Sequence, residues 1–176
     1  MINAATAIAA IEYLKDLGMK ISSQNIYAGL KNVYWPGRFE IVAHEPLTIL
    51  DGAHNLDSAQ ALVQTIQNLW PNKKVTLILG ISSDKDKSSI CQELNKIAGR
   101  VIWTKANHPR AGNISPDELR NFFPNKESLQ TQSIDEALER AYENIDSEMI
   151  VITGSLFIVS EAREYIFARE RKHVST

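Results

Sequence analysis

The sequence contains a single cysteine, Cys91, in 176 residues, so it cannot form an internal disulfide. It also lacks an apolar run long enough to cross a membrane and a segment with the pattern of a signal peptide. Its formal net charge is −2 and it has no sustained run of lysine and arginine, which argues against a nucleic-acid partner. These absences predict a cytoplasmic globular protein that binds neither nucleic acid nor membrane.

The signatures of several familiar catalytic sites are missing as well. There is no G-x-x-x-x-G-K-[ST] loop to hold ATP phosphates and no G-x-G-x-x-G turn of a dinucleotide site. There is no G-x-S-x-G elbow, so Asp51, His54 and Ser155 are not predicted to form a hydrolase triad. The four histidines do not have metal-ligand spacing with Cys91, so no metal site is predicted within the chain.

The first part of the chain is predicted to be helical and to lack a core of its own. Asn3 is a candidate N-cap for one helix, which Gly18 would end, and Ser22 or Ser23 can cap a second. Two short helices cannot bury their apolar faces alone. We therefore expect residues 1–37 to be the end of a domain that lies mostly upstream, followed by a linker.

From residue 39 onward strands and helices alternate. The apolar runs Val75–Leu79 and Met149–Ile152 are typical of strands buried on both faces. This pattern predicts that residues 38–176 form a doubly wound α/β domain, with a mainly parallel sheet and helices on both faces. The predicted strands are 39–44, 47–51, 74–81, 100–106, 128–132 and 149–154, and the predicted helices are 55–69, 87–98, one that starts at Ser115-Pro116, 133–144 and 155–169.

Ligands of such sheets bind in the loops that follow the carboxyl ends of strands. After the strand 47–51, Asp51 can accept hydrogen bonds from ribose hydroxyls and His54 can bind an anion or a carboxylate. Alternatively, Asp51 and Asn55 serve only as turn and cap residues. After the last strand, Ser155 opens a helix whose N-terminus can hold a carboxylate, or it is only the N-cap of that helix.

Three further polar segments are ambiguous from the residues alone. The loop 80–86 is either a ligand loop or a solvated turn in which Asp86 lies near a helix N-terminus. Pro36 and Gly37 make a stiff turn that would present Arg38 to a phosphate, although Arg38 could equally be a surface residue on a linker. The run 107–111 is ambiguous in the same way, since it is either part of a ligand site or a surface segment.

Together these motifs resemble the folylpolyglutamate synthase/dihydrofolate synthase family, within the Mur ligase group. The opening Asn3-Ala-Ala-Thr-Ala7 is similar to the end of that family's central ATPase domain. The resemblance covers essentially the whole chain, in the family's order, and the motifs that carry it are Trp35-Pro-Gly-Arg-Phe-Glu40, Asp51-Gly-Ala-His-Asn55, Gly80 with Asp84-Lys-Asp86, Pro109-Arg-Ala111 and Thr153-Gly-Ser155.

The resemblance implies an ATP-dependent ligase that joins L-glutamate to folates through an acyl phosphate. The cofactors it implies are ATP and Mg²⁺, and it places the P-loop and most Mg²⁺ ligands in an upstream ATPase domain that this sequence does not contain. The chain alone would then be catalytically incomplete and would act with that domain, in a protein expected to be monomeric.

The same resemblance implies roles for individual residues. Asn3 and Arg38 match nucleotide-contacting positions, with Arg38 near the phosphates, and Asp51 matches a nucleotide-contacting acid. His54 and Ser155 match the glutamate side of the cleft, and His54 is the candidate catalytic residue. No role is implied for Lys85 or Asp86.

Two other functions remain open on the sequence. One is a Mur-type ligase domain that makes an amide of a different substrate. The other is a non-catalytic module that binds a nucleotide or an amino acid, which the missing P-loop would suit equally well. A P-loop and a Mg²⁺-binding set just upstream would favour a ligase, whereas a genuine start at Met1 would favour the module.

Overall fold

The computed structural model describes residues 2–143 and 149–174 of the chain. It divides the chain into two compact units, Met1–Pro36 and Gly37–Thr176. Among the described helices, none combines the length and the hydrophobicity that crossing a bilayer requires.

The first unit consists of α1 (Ile2–Asp16) and α2 (Ser23–Lys31). Gly18, at φ 97°, ends α1, and the N–H of Met19 returns to the carbonyl of Leu14 (3.1 Å), as in a Schellman turn. Ser22 caps α2 through the Asn25 N–H, as predicted. None of residues 3–36 is buried, so the two helices enclose no core of their own.

The prediction that Asn3 is the N-cap of α1 is wrong. The helix already includes Ile2, so Asn3 lies inside its first turn. The polar side chain of Asn3 suggested a cap, but the backbone is already helical one residue earlier.

The second unit is an α/β domain with a six-stranded sheet in the order β1-β2-β6-β3-β4-β5. Strand β1 pairs antiparallel with β2, and the other pairings between these strands are parallel. The predicted fold class is therefore confirmed. The elements are β1 (Glu40–His44), β2 (Leu47–Leu50), α3 (Leu56–Leu69), β3 (Val75–Leu79), α4 (Lys87–Leu94), β4 (Ala98–Trp103), α5 (Pro116–Phe122), β5 (Glu127–Gln130), α6 (Ile134–Tyr142), β6 (Met149–Thr153) and α7 (Leu156–Val174).

Helices cover both faces of the sheet, and each face has its own apolar cluster. Residues of α3, α4 and α5 pack with Leu77 and Leu79 on one face, and residues of α6 and α7 pack with Ile78 on the other. Every residue of β3 and β6 is buried, which explains their nearly continuous apolar sequences. The parallel central strands consequently deliver their carboxyl ends to a single edge of the sheet.

Some predicted helix ends are displaced. The helix expected over 87–98 ends at Leu94, because the chain turns at Asn95 and brings Ala98 alongside Val75 as the first pair of β3 and β4. Helix α7 continues to Val174, beyond the expected end at residue 169. The expected end of the 133–144 helix lies outside the described residues.

Cys91 lies on α4 and is buried. Burial raises the pKa of its thiol to about 12. The thiolate, which is the reactive form of cysteine, is therefore scarce at neutral pH.

Candidate functional site

Backbone hydrogen bonds hold the loops after β2, β6 and β3 side by side at the carboxyl edge of the sheet. The Asp51 N–H donates to the carbonyl of Ile152 at 3.0 Å, and the Gly154 N–H donates to the carbonyl of Ala53 at 2.9 Å. On the other side of β6, the Gly80 N–H donates to the carbonyl of Thr153 at 3.2 Å. The polar loops predicted from the sequence thus meet at one edge.

Gly154 makes this close approach sterically feasible. Its φ is 107°, and a Cβ at this position would lie 2.8 Å from the carbonyl oxygen of Gly80 and 2.9 Å from Cδ1 of Leu79. Only glycine combines such a backbone conformation with the absence of a side chain.

Arg38 lies on a tight turn of four residues, Gly37–Glu40, which we call the Arg38 loop. Gly37 has a φ of 69° and Phe39 a φ of 46°, so residues on both sides of Arg38 adopt the left-handed conformation. The carbonyl of Gly37 accepts the N–H of Gly52 at 2.8 Å, and the Phe39 ring stacks on Trp70 with centroids 6.4 Å apart. The backbone of the loop is fixed, while Arg38 itself is exposed.

Asp51 joins the Arg38 loop to the end of β2. One carboxylate oxygen accepts the N–H of Phe39 at 2.9 Å, and the other accepts the N–H of Ala53 at 2.9 Å. Burial raises the pKa of Asp51 above its ordinary value, although these two hydrogen bonds and the charge of Arg38 act in the opposite direction. Asp51 therefore fixes the backbone beside Arg38, a task that the sequence did not predict.

His54 is oriented by its own loop. Its Nδ1 lies 2.8 Å from the carbonyl oxygen of Gly52, and since a carbonyl can only accept, Nδ1 carries the proton. In the neutral ring Nε2 is then the acceptor, and in the protonated ring it is a donor. Asn55 caps α3 by accepting the Ser58 N–H at 2.9 Å, as expected.

Ser155 is buried beneath the first turn of α7. Its hydroxyl oxygen accepts the N–H of Ile158 at 3.3 Å, which is the contact of an N-cap. The hydroxyl still carries a proton that it can donate. The cap role is thus present, and the proposed role toward a ligand is compatible with it.

The loop 80–86 and the run 107–111 are connected to each other. The Asp84 carboxylate accepts a hydrogen bond from the Arg110 guanidinium at 2.8 Å, which lowers the pKa of Asp84. Ser82 and Ala111 form an isolated antiparallel bridge. Asp86 caps α4 by accepting the Ser89 N–H at 3.1 Å, which agrees with the alternative that placed it near a helix N-terminus.

Asn3, unlike the other predicted site residues, belongs to the first unit. Its assignment to the nucleotide stays a prediction, as do the ligand assignments of the other predicted site residues. Arg38, Asp51, His54 and Ser155 all belong to the second unit. Within residues 2–143 and 149–174, no group of three or more His, Cys, Asp or Glu side chains is placed to hold a metal ion.

A buried hydroxyl at the same edge gives a stability prediction. Thr104 follows β4, is fully buried, and its Oγ1 has no hydrogen-bond partner among the described residues. Thr104→Val should raise the free energy of unfolding by about 1 kcal/mol, because it removes an unsatisfied polar atom at nearly constant volume. Urea denaturation measures the difference.

Thr48→Val is the matched control for that experiment. Thr48 is equally buried, but its hydroxyl donates to the carbonyl of Pro46 at 2.9 Å, so the same substitution should lower stability. Equal losses in the two variants would contradict the assignment of Thr104 as unsatisfied.

Comparison with known proteins identifies the family of this edge-bound site. The family model described as "Mur ligase, glutamate ligase domain" matches residues 37–156. The chain belongs to this family. The matched segment begins at the Arg38 loop and ends one residue after Ser155, so it contains every predicted site residue of the second unit.

Curated relatives of the chain are folate enzymes. It is 29% identical over 168 residues to the dihydrofolate synthase/folylpolyglutamate synthase of Bacillus subtilis, covering 92% of this chain and 38% of that protein. It is 32% identical over 164 residues to the folylpolyglutamate synthase of Lacticaseibacillus casei, covering 92% and 37%. The resemblance predicted from the sequence is confirmed, and the chain spans well under half the length of these relatives.

Solved structures agree with the fold. Escherichia coli FolC in complex with DHPP and ADP superposes with a TM-score of 0.80 at 29% identity, covering 96% of this chain and 39% of FolC. The bifunctional synthase of Yersinia pestis, complexed with AMPPNP and a Mn ion, also gives 0.80 at 29% identity, covering 94% and 38%. Those relatives bind an ATP analogue or ADP, and each of them is more than twice as long as this chain.

Proposed function

We propose that this chain is the glutamate-side, carboxy-terminal domain of an ATP-dependent ligase that adds L-glutamate to a folate. The observation that carries the proposal is the convergence of the Arg38 loop, the loop after β2 that contains His54, and Ser155 at one sheet edge, within a glutamate ligase domain. The folate preference rests on the relatives, which are folylpolyglutamate and dihydrofolate synthases.

Arg38 is proposed to serve the phosphoryl-transfer half of the reaction. A carboxylate is a poor electrophile until one of its oxygens becomes a good leaving group, and ATP supplies that change by phosphorylation. A guanidinium presented on a fixed backbone can stabilise the charge on the transferring phosphoryl group without reorganising first. The exposed side chain and clamped backbone of Arg38 support this role.

His54 and Ser155 are proposed to serve the amino-acid half. The ring of His54 can donate to a carboxylate through Nε2 when protonated, or accept a proton there when neutral. The Ser155 hydroxyl lies at the N-terminus of the 19-residue helix α7, where the helix dipole favours a carboxylate. These two groups would orient glutamate so that its amino group attacks the acyl phosphate.

The ATP phosphates and the metal ion require residues beyond this chain. The sequence has no P-loop, and the described residues offer no cluster of metal ligands, so Mg²⁺ would be held by an ATPase domain. We propose that the first unit is the end of that domain and that Asn3 contacts the nucleotide. The exposed Leu17 and Tyr27 support this, since a helical pair without a core needs a partner for its apolar surface.

The proposal is tested by identifying the product. We call this chain joined to the P-loop domain that the proposal requires the complete ligase. The complete ligase is incubated with ATP, Mg²⁺, L-glutamate and a reduced folate. Mass spectrometry should then show the folate extended by one glutamyl residue. The same mixture with a peptidoglycan precursor that carries a free carboxylate in place of the folate should give no product. Product only in that mixture would replace the folate by a Mur-type substrate. We expect the protein to act as a monomer in the cytoplasm.

A further inference from the structure

We propose that Glu40 and Arg163 are positioning residues that set the place of Arg38 during nucleotide use. The inference rests on the proposed function only for the role of Arg38. The contacts that connect Glu40, Arg163 and the Arg38 loop belong to the fold itself and can be tested without any substrate.

Glu40 is a buried carboxylate with two kinds of partner. Its side chain is 7% exposed, and its Oε2 accepts the N–H of Gly37 at 2.8 Å. The Nε of Arg163 lies 3.0 Å from Oε1 and 3.1 Å from Oε2. A buried carboxylate is costly without compensation, and here an ion pair and a backbone hydrogen bond compensate it.

Two carboxylates fix the backbone on either side of Arg38. The N–H of Gly37, one residue before Arg38, donates to the Glu40 carboxylate, and the N–H of Phe39, one residue after it, donates to the Asp51 carboxylate. Both carboxylates are buried. The guanidinium of Arg38 therefore extends from a backbone whose flanking amides are each fixed by a charged acceptor.

Helix α7 connects the Arg38 loop to the proposed glutamate side of the site. The helix starts directly after Ser155, and Arg163 follows about two turns later. A Cβ at Gly37 would lie 2.7 Å from Cγ1 of Val159, so the Arg38 loop also packs directly against α7. One helix thus carries the proposed glutamate-side serine at its start and the residue that holds the phosphate-side loop farther along.

Helix α7 therefore relates the position of the nucleotide, at Arg38, to the position of glutamate, at Ser155. If α7 moves, Arg163 and Val159 carry the Arg38 loop with it, so the spacing between Arg38 and Ser155 is preserved. The Arg163 guanidinium also lies 4.6 Å from the centre of the Phe167 ring, which further restricts its position on the helix.

The kinetic test uses Glu40→Gln in the complete ligase. Gln keeps the size of Glu40 but has no charge and only one acceptor oxygen, so it cannot serve both Arg163 and the Gly37 N–H as Glu40 does. The KM for ATP should therefore rise about tenfold. The KM for glutamate should stay within about twofold of the parent value. Glu127→Gln is the matched control, since it breaks the 2.7 Å Arg100–Glu127 ion pair between β4 and β5 and should change neither constant.

A double-mutant cycle separates positioning from simple stabilisation. If Glu40 acts through Arg38, Glu40→Gln should have no further effect on the KM for ATP once Arg38 is alanine. Additive effects of the two substitutions, or an equal rise in the KM for glutamate, would overturn the positioning role.

A second measurement needs no catalytic activity. In the 176-residue chain, Glu40→Ala removes both acceptor oxygens and should speed hydrogen exchange of the Gly37 amide about tenfold, whereas Glu127→Ala should leave it unchanged. An unchanged exchange rate of the Gly37 amide would overturn the proposal that Glu40 holds the Arg38 loop. If the parent complete ligase forms no product, the proposed function fails, and the exchange result still decides whether Glu40 holds the loop.

Discussion

Arg38→Ala lowers kcat/KM for ATP of the complete ligase by about a hundredfold, because it removes the charged donor proposed to contact the transferring phosphoryl group. The backbone of the Arg38 loop does not depend on this side chain, since the loop is held through the N–H groups of Gly37 and Phe39. Stability should therefore change little. Steady-state kinetics with ATP varied at saturating glutamate and folate, together with a thermal melt, measure both quantities.

Two companion variants sharpen this prediction. Arg120→Ala removes an exposed arginine of α5 that pairs with its helix neighbour Asp117, and it should leave the kinetics unchanged. His54→Ala should mainly raise the KM for glutamate, because His54 belongs to the proposed amino-acid half of the site. An ATP dependence that is normal in Arg38→Ala would contradict the assignment of Arg38 to the phosphates.

Gly154→Ala lowers the free energy of unfolding by about 3 kcal/mol or more. Alanine at φ 107° is strained, and its Cβ would lie 2.8 Å from the Gly80 carbonyl, which is backbone and cannot rotate away. The β3 and β6 loops would have to separate, disturbing the hydrogen bond from the Gly80 N–H to Thr153. Denaturation in urea, followed by circular dichroism, measures the loss.

Gly99→Ala is the control for that loss. Gly99 lies in β4, where a Cβ would meet its nearest atom at the ordinary distance of 3.4 Å, and its backbone is not in the left-handed region. This variant should be about as stable as the parent. A Gly154→Ala protein as stable as Gly99→Ala would show that the two loops do not approach as closely as described.

The parts of the fold that follow from local physics could be predicted from the sequence. The apolar run Val75–Leu79 predicts a strand buried on both faces, and the structure buries all five residues. Ser115, followed by proline and an acidic residue at the third helical position, predicts the start of α5. The end of α4 could not be predicted in this way, because the pairing of Ala98 with Val75, a contact distant in sequence, sets it.

The site shows the same division. The motif residues Arg38 and Asp51 are visible in the sequence, but the two backbone N–H groups that occupy the Asp51 carboxylate are not. Glu40 lies within a recognisable motif, yet its partner Arg163 is 123 residues away and belongs to no motif. Thr104 gave no signal, since only the packing of β4 against its neighbours reveals that its hydroxyl is buried.

The proposed function needs a site completed by two domains: an ATPase domain that holds ATP, and this chain, which supplies Arg38 and the glutamate side. The most direct test is phosphate release from ATP with a reduced folate present, measured with and without L-glutamate. The assay compares the 176-residue chain alone with the complete ligase. We expect release that depends on glutamate in the complete ligase and none from the chain alone. Phosphate release that is the same with and without glutamate in both proteins, or no release in either, would contradict the assignment of this domain to a folate–glutamate ligase.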